Sequence, residues 1–132
     1  MYLFADHEHL WGPLPAYQPA ISLSDRYDIT ALVSEEDHRW AMQWRWAHKW
    51  AEGAKANKTG IIYAYRQIRI GGRKVTLWLH REITWRKLGP PPSDKHMADH
   101  INRDSLDCRR ENLRWATPSE NRKNQLIRDL KL

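Results

Sequence analysis

The chain has few residues that could form disulfides or structural zinc sites, and few long apolar runs. Among its 132 residues there is one cysteine, Cys108. A single cysteine excludes an intrachain disulfide and a cysteine-rich structural zinc site. The first eleven residues have neither a basic segment nor a long apolar run, so the sequence predicts no signal peptide and no membrane span. A chain of this length is expected to form one compact unit or two small lobes around a modest core.

Basic residues are scarce at the start of the chain. The first 40 positions hold Arg26 and Arg39 against seven acidic residues, a net charge of −5. The chain totals 22 basic and 16 acidic residues, so residues 41–132 hold 20 against 9, a net charge of +11. A basic body of this size favours a polyanionic partner, because Lys and Arg displace counterions from phosphates. On charge alone, a merely soluble basic surface is equally compatible.

The N-terminal part predicts an arm, a helix and a strand. Residues 1–20 are proline-rich and predict an extended arm. The histidine-acid run at 6–9 is favoured as a solvated tail over a metal site, since nothing nearby would fix its geometry. A short helix is expected from Ser34 to about Gln43. The tryptophans at 44, 46 and 50 fit both a strand and a helix, and the strand is favoured because a helix would spread them over too many faces.

A hairpin should follow. Residues 61–70 and 73–79 alternate as strands around the turn Gly71-Gly72, which predicts a small three-stranded antiparallel sheet. Its apolar face would comprise Ala64, Ile68, Ile70, Val75, Leu77 and Leu79. The other face mixes aromatic, hydrogen-bonding and cationic groups typical of a β-surface laid along a DNA groove, and comprises Tyr63, Tyr65, Gln67, Arg69, Lys74, Thr76 and Trp78. A solvated face with cross-strand aromatic pairs is the alternative.

A helix and a stiff connector lead to the C-terminal part. The helix should begin at Leu79 and end near Leu88, before Gly89 and three prolines that cannot continue it. Arg81 is a candidate phosphate contact on this helix. His80 could reach the site described next, although a hydrogen-bonded structural histidine is the favoured interpretation.

The most informative pattern is Asp99-His100, followed twelve residues later by Asn112 and nine further on by Asn121. Hydrolysis of a phosphodiester needs a deprotonated water, a cation near the phosphate and stabilisation of the leaving oxygen. His100 titrates near neutral pH and can take the proton of the water. Asp99 and Asn121 offer hard oxygen ligands suited to Mg²⁺ or Mn²⁺.

Local sequence signals bring these residues together. Residues 97–101 alternate as a strand, and 113–116 predict its partner across a polar loop. Thr117 as N-cap, Pro118 at the first helical position and Glu120 in a capping box then begin a helix. Asn121 falls in the first turn of that helix, facing the first strand.

These residues resemble the HNH endonucleases, specifically the phage and intron-associated homing type. The resemblance is carried by 99–102, 107–114, 116–121 and Asn124, and it extends over roughly residues 21–125. It implies that residues 93–132 fold as a ββα-metal finger. With the arm at 1–20 and the sheet lobe at 21–92, which we expect to bind DNA, the sequence predicts an α+β protein.

The resemblance also implies roles. His100 would be the general base, Asn112 the loop-bracing amide that orients it, and Asp99 with Asn121 the ligands of Mg²⁺ or Mn²⁺, without structural zinc. Candidate phosphate contacts in the finger are Arg103, Arg109, Arg110 and Arg114. The cut would leave 5′-phosphate and 3′-hydroxyl ends.

Two positions depart from the common pattern of the family. Asn121 stands where many relatives have histidine, which makes this an H-N-N variant. Cys108 stands where asparagine is common. Asn124 is an alternative ligand to Asn121, which is favoured because Asn124 lies further round the helix.

The sequence therefore predicts a metal-dependent endonuclease that nicks or breaks double-stranded DNA, as a monomer or homodimer, in a bacterial or phage-infected cytoplasm. One alternative is a DNA-binding module of the same fold without turnover, and another is a non-specific nuclease toxin. The structural alternative is that an Asp-His pair on a strand and asparagines in a loop only satisfy nearby backbone groups. The spacing of all four residues favours the nuclease.

Overall fold

The structure is a computed structural model that describes residues 17–51 and 61–130. Most of the predicted arm, with the histidine-acid run at 6–9, lies outside the described residues. Within those ranges, no helix has the length and hydrophobicity needed to cross a membrane.

The fold is α+β, as predicted. Its elements, in chain order, are β1 (Ala20–Ser22), β2 (Thr30–Val33), α1 (Glu35–Ala41), β3 (Ala47–Trp50), β4 (Ile62–Ile70), β5 (Arg73–Trp78), α2 (Leu79–Leu88), β6 (Met97–His100), β7 (Asp107–Cys108), a 3₁₀ turn (Arg110–Asn112), β8 (Leu113–Ala116) and α3 (Pro118–Leu130).

The predicted three-stranded antiparallel sheet is confirmed as β3–β4–β5. Gly71 and Gly72 form the hairpin turn with φ of +56° and +80°, a backbone that favours glycine at both positions. Cross-strand pairs place Tyr65 opposite Trp78 and Gln67 opposite Thr76. The mixed polar and aromatic residues therefore share one face, as the two-residue period indicates.

The opposite face of this sheet is buried only at its base. Ala64 and Leu79 are buried, whereas Ile70 near the turn is 59% exposed. Arg66 also lies on this face, and its guanidinium carbon is 3.9 Å from the ring centroid of Trp44. The hairpin thus extends beyond the core, and the predicted apolar face is interrupted by a cation stacked on an indole ring.

A second sheet has the order β1–β2–β7 and was not predicted. β1 and β2 are antiparallel, and β2 pairs in parallel with β7, where Val33 lies opposite Cys108. β7 belongs to the segment that the sequence indicated as a polar loop. One cluster of buried apolar side chains joins residues from both the predicted lobe and the predicted finger: Ile21, Leu23, Ala31, Val33, Ala41, Trp46, Ala64, Leu79, Ile83, Cys108 and Leu113.

A buried carboxylate adds a polar connection between α1 and the 3₁₀ turn. Asp37 is fully buried. It accepts hydrogen bonds from Arg110 Nε and Nη2, both at 2.9 Å, and from Arg86 Nε at 3.1 Å. Ser34 Oγ accepts the backbone N–H of Arg110 at 2.9 Å. Two guanidinium groups thereby satisfy a charge that would otherwise be costly to bury.

The C-terminal strands and helix form as the sequence predicts. β6 and β8 are antiparallel, with Asp99 opposite Arg114, and α2 packs against both strands. The capping box of α3 is present: Glu120 Oε1 accepts the Thr117 N–H at 2.9 Å, and Thr117 Oγ1 accepts the Glu120 N–H at 3.2 Å. These elements fix the start of α3 beside the end of β6.

Candidate active site

The end of β6 and the first turns of α3 enclose a polar cleft. Asp99 and His100 reach it from β6, and Asn121 and Asn124 reach it from α3. Its remaining lining includes Arg103 and Ser105 from the loop after β6 and Tyr63 from β4. Three of the four residues of the motif, Asp99, His100 and Asn121, therefore line a single cleft.

His100 is buried at the edge of the cleft. Its side chain is buried, with 7% of the residue exposed. Burial lowers the pKa of His100 to about 4, although the nearby carboxylates of Asp99, Asp104 and Asp107 act in the opposite direction. The imidazole is therefore neutral at physiological pH, which is the form that accepts a proton.

Cys108 lies directly behind this imidazole. Its Sγ atom is 3.9 Å from His100 Nε2. Burial raises the pKa of the Cys108 thiol, so the sulfur remains protonated and uncharged. The position where the sequence departs from its relatives is thus in contact with the proposed base.

The Asp99 carboxylate is held by two neighbours. Arg114 Nε donates to Asp99 Oδ2 at 2.9 Å. Asn124 Nδ2 lies 3.4 Å from both carboxylate oxygens and donates to the backbone oxygen of His100 at 2.9 Å. Asn124 thus presents its amide nitrogen to Asp99, which suits a positioning role better than a ligand role. Asn121 lines the same cleft.

The residues present fit a hard divalent cation. A carboxylate has about four lone-pair positions, so Asp99 can accept Arg114 and still bind a cation. Asn121 supplies an amide oxygen, and Mg²⁺ uses few protein ligands. Over the two described ranges, no group of three or more His, Cys, Asp or Glu residues could hold a metal.

Asn112 braces the loop between β6 and β8. Its Oδ1 accepts the backbone N–H of Asn102 at 2.8 Å, and its Nδ2 donates to Asn102 Oδ1 and to the Asp107 backbone oxygen, both at 2.9 Å. Its backbone oxygen accepts the N–H of Ile101 at 2.8 Å. Asn112 therefore acts on the residue after His100 and lies behind the cleft rather than in it.

Asp107 anchors the same loop. It accepts Arg109 Nε and Nη2, both at 2.7 Å, and Asn102 Nδ2 at 2.8 Å. Burial acts to raise the pKa of Asp107, but the hydrogen bonds from Arg109 and Asn102 outweigh it and hold that pKa below its usual value.

His80 is the site residue that sequence reasoning underrated. Its ring centroid lies 4.8 Å from that of His100 and 5.2 Å from that of Tyr63, which stacks on it. Burial and the charges of His100 and Arg81 lower the pKa of His80 to about 3. His80 follows Trp78 by two positions, which is the side-chain period of a strand. Extending the pattern of β5 by one step would therefore have placed His80 on the same face as Trp78.

Several predicted DNA contacts have partners within the protein. Arg109 pairs with Asp107 and Glu111, Arg110 with Asp37 and Glu36, and Arg114 with Asp99. The guanidinium carbon of Arg81 lies 5.4 Å from the Trp115 ring centroid. Arg69 donates to the Gly72 oxygen at 3.2 Å in the hairpin turn. Arg103 lines the cleft itself. The first three arginines therefore stabilise the fold whatever else they contact.

Two antiparallel strands, a braced loop and a helix around one polar cleft are the arrangement of a ββα nuclease finger. Residues 77–123 match the model of the HNH endonuclease family, which fits the ββα finger that the sequence predicted. The match indicates a nuclease and begins near the end of β5, so it includes His80 and α2 ahead of the predicted finger boundary at 93. No curated protein and no solved structure matches the chain significantly.

Proposed function

We propose that this protein is a metal-dependent endonuclease that hydrolyses phosphodiester bonds of double-stranded DNA. His100 is the general base, and Asp99 and Asn121 hold a single Mg²⁺ or Mn²⁺. The observation that carries the proposal is that these three residues line one cleft within the segment that matches the HNH family. We also propose that it is a nuclease of the phage or intron-associated homing type, and an H-N-N variant in which Asn121 stands where many HNH endonucleases have histidine.

The chemistry of the protein side chains starts at His100. The neutral imidazole takes a proton from water, and the adjacent carboxylates stabilise the imidazolium that forms. In the tautomer whose Nε2–H points towards Cys108 Sγ, 3.9 Å away, Nδ1 is the nitrogen that receives that proton. The hydroxide forms a bond to phosphorus, and the bond to the 3′ oxygen breaks, which leaves a 5′-phosphate and a 3′-hydroxyl once that oxygen takes up a proton from solvent. A bound cation would neutralise the charge that develops on the phosphate.

Three further residues position this machinery. Arg114 and Asn124 fix the Asp99 carboxylate, so the ligand oxygens need little reorganisation when a cation binds. Asn112 holds the chain that leaves β6 and thereby orients His100. Both effects place reacting groups before the substrate arrives.

The DNA path begins at the cleft and follows one face of the β3–β4–β5 sheet. Tyr63 lines the cleft, and Tyr65, Gln67 and Trp78 continue along the same face. Thr76 lies opposite Gln67, and the pair of Arg69 and Lys74 lies nearer the hairpin turn. The net charge of +11 over residues 41–132 favours contacts between basic side chains and the phosphates along the duplex.

The finer features of the proposal follow the sequence. The arm spans 1–20, the DNA-binding lobe 21–92 and the nuclease finger 93–132. The protein would act in a bacterial or phage-infected cytoplasm. A monomer with one cleft would nick one strand, and a homodimer would break both.

The decisive experiment is cleavage of supercoiled plasmid with Mg²⁺ or Mn²⁺, with EDTA as the metal-free control. His100→Ala should cut roughly a hundredfold to ten-thousand-fold more slowly, the contribution of a general base, while DNA binding is retained. His38→Ala, on α1 and outside the cleft, is the matched control and should cut like the wild type. Cleavage by His100→Ala at the wild-type rate would contradict the assignment.

The two alternatives give other outcomes in the same assay. Tight, metal-independent binding with no relaxed or linear product would favour an inactive DNA-binding module. Rapid degradation of every plasmid, without discrete products, would favour a non-specific nuclease toxin.

A further inference from the structure

A second cavity adjoins the cleft on the same face of the sheet. It is open, has a volume of about 520 Å³ and is lined by Lys49, Trp50, Ala51, Tyr63, Trp78 and His80. We name it the aromatic pocket. Its volume lies within the range of small-ligand sites, about 300–1,000 Å³. Four of its six lining residues carry aromatic or imidazole rings, and the proposed chemistry uses none of them.

The rings of the aromatic pocket form a wall with a cation near it. Tyr63 meets Trp78 edge to face at 5.9 Å and stacks on His80 at 5.2 Å. Lys49 Nζ lies 6.0 Å from the centroid of Trp78. Flat aromatic surface binds nucleobases irrespective of sequence, and a nearby ammonium group can contact the adjoining phosphate.

The aromatic pocket is continuous with the cleft. Tyr63 lines both cavities, and its ring centroid is 6.1 Å from that of His100. His80 also lines the aromatic pocket, and its ring centroid is 4.8 Å from that of His100. A group bound in the aromatic pocket would therefore lie beside the nucleotide whose phosphate occupies the cleft.

We propose that the aromatic pocket binds one unpaired nucleobase of the DNA substrate by stacking. Bases within a duplex have both faces covered by their neighbours, so only a base that has left the stack can enter. The preferred substrate would then carry an unpaired or easily unpaired nucleotide beside the scissile phosphate. This inference rests on the proposed function for the identity of the polymer, whereas the stacking itself is independent of catalysis.

Stacking can be separated from phosphate binding with two fluorescent single strands of about 20 nucleotides, longer than typical single-strand sites. One is oligo-dT, and the other has the same phosphates with every base replaced by an abasic spacer. Binding is measured by anisotropy at one salt concentration and in EDTA, so that no strand is cut. The wild type should bind oligo-dT roughly tenfold more tightly, the effect of about one stacked base.

Substitutions at Trp78 test whether the preference for oligo-dT over the abasic strand comes from the aromatic pocket. Trp78→Ala and Trp78→Leu should bind both strands equally, while Trp78→Phe should keep most of the preference. The leucine variant retains apolar bulk, so the test stands even where the alanine variant fails to fold by circular dichroism. Tyr27→Ala is the matched control, because Tyr27 is 61% exposed between β1 and β2, and it should keep the preference in full.

Each contrary outcome has one meaning. Equal binding of the two strands by the wild type, or a preference that survives Trp78→Leu, overturns the aromatic pocket as a base site. Tighter binding of oligo-rU than of oligo-dT overturns its assignment to DNA. A wild-type protein that cleaves plasmid but shows no preference for oligo-dT refutes this inference alone, and a wild-type protein that shows the preference but does not cleave plasmid refutes the proposed nuclease alone.

Discussion

Two imidazoles share one partly buried environment beside the cleft. His80 and His100 have pKa values lowered to about 3 and about 4, in each case mainly by burial. A histidine in the unfolded chain titrates near 6.5. Both rings are therefore uncharged in the folded protein at neutral pH, and folding excludes two protons that the unfolded chain binds in mild acid.

The stability of the protein should consequently fall between pH 7 and pH 5. Because the folded pKa values lie below the unfolded ones, the stability contribution is complete above about pH 6.5 and decreases as the pH falls from 6.5 towards 4. The expected loss is about 1–2 kcal/mol for each histidine, measured by urea unfolding at pH 5, 6 and 7. His80→Phe, which keeps a ring but no titrating group, should show a shallower dependence. An identical slope in wild type and variant would contradict this explanation.

Which site residues were predictable depends on how local their signals are. Asp99, His100 and Asn121 were recognisable because a fixed spacing within one strand, loop and helix carries them to the cleft. The structural role of Asp37 and the partners of Arg110 were not, since these residues are 73 positions apart. Ion pairing over that distance leaves no periodic trace in the sequence.

Helix α3 holds Asn121 and Asn124 in place through its first turn. The reciprocal hydrogen bonds of Thr117 and Glu120 satisfy two backbone donors that the helix cannot satisfy itself. Thr117→Ala should therefore lower the free energy of unfolding by about 1 kcal/mol. It should also slow cleavage, because the first turn carries the proposed amide ligand.

Thermal unfolding followed by circular dichroism measures the effect on α3. Ser119→Ala is the matched control, since Ser119 is exposed in the same turn and alanine is a good helix former. Equal melting temperatures for the two variants would show that the capping box contributes nothing to stability.

The elements whose ends are marked by local glycine or proline signals were predicted well. The glycine pair at 71–72 marked the hairpin, the period of two sorted its faces, and Gly89 with the prolines after it marked the end of α2. β7 was missed because it has two residues and pairs in parallel with β2. A strand that short has no alternation of its own, and parallel partners lie far apart in the chain.

At the scale of the whole molecule, Asp37 connects α1 to the finger. Asp37→Ala would leave Arg86 and Arg110 without their buried anion. Removing one partner of a buried ion pair is strongly destabilising, and the partial exposure of both arginines, 36% and 25%, places the expected loss at about 3 kcal/mol.

Glu36→Ala tests whether burial is the cause of this loss. Glu36 pairs with the same Arg110 at 3.4 Å, but its side chain is 61% exposed, so its removal should cost less than about 1 kcal/mol. Chemical denaturation of both variants compares them directly. A loss from Glu36→Ala as large as that from Asp37→Ala would contradict the importance of burial.

The parallel pairing of β2 with β7 limits how this protein can be engineered. A fusion that joined residues 93–132 to a foreign DNA-reading domain would cut the strand pair at Val33 and Cys108 and strip Leu113 of its neighbours in the shared core. The transplantable cassette is therefore longer than the catalytic motif and must begin at or before β1. In evolutionary terms, the segments before and after residue 93 would have to be inherited together rather than exchanged as separate parts, because they share one sheet and one core.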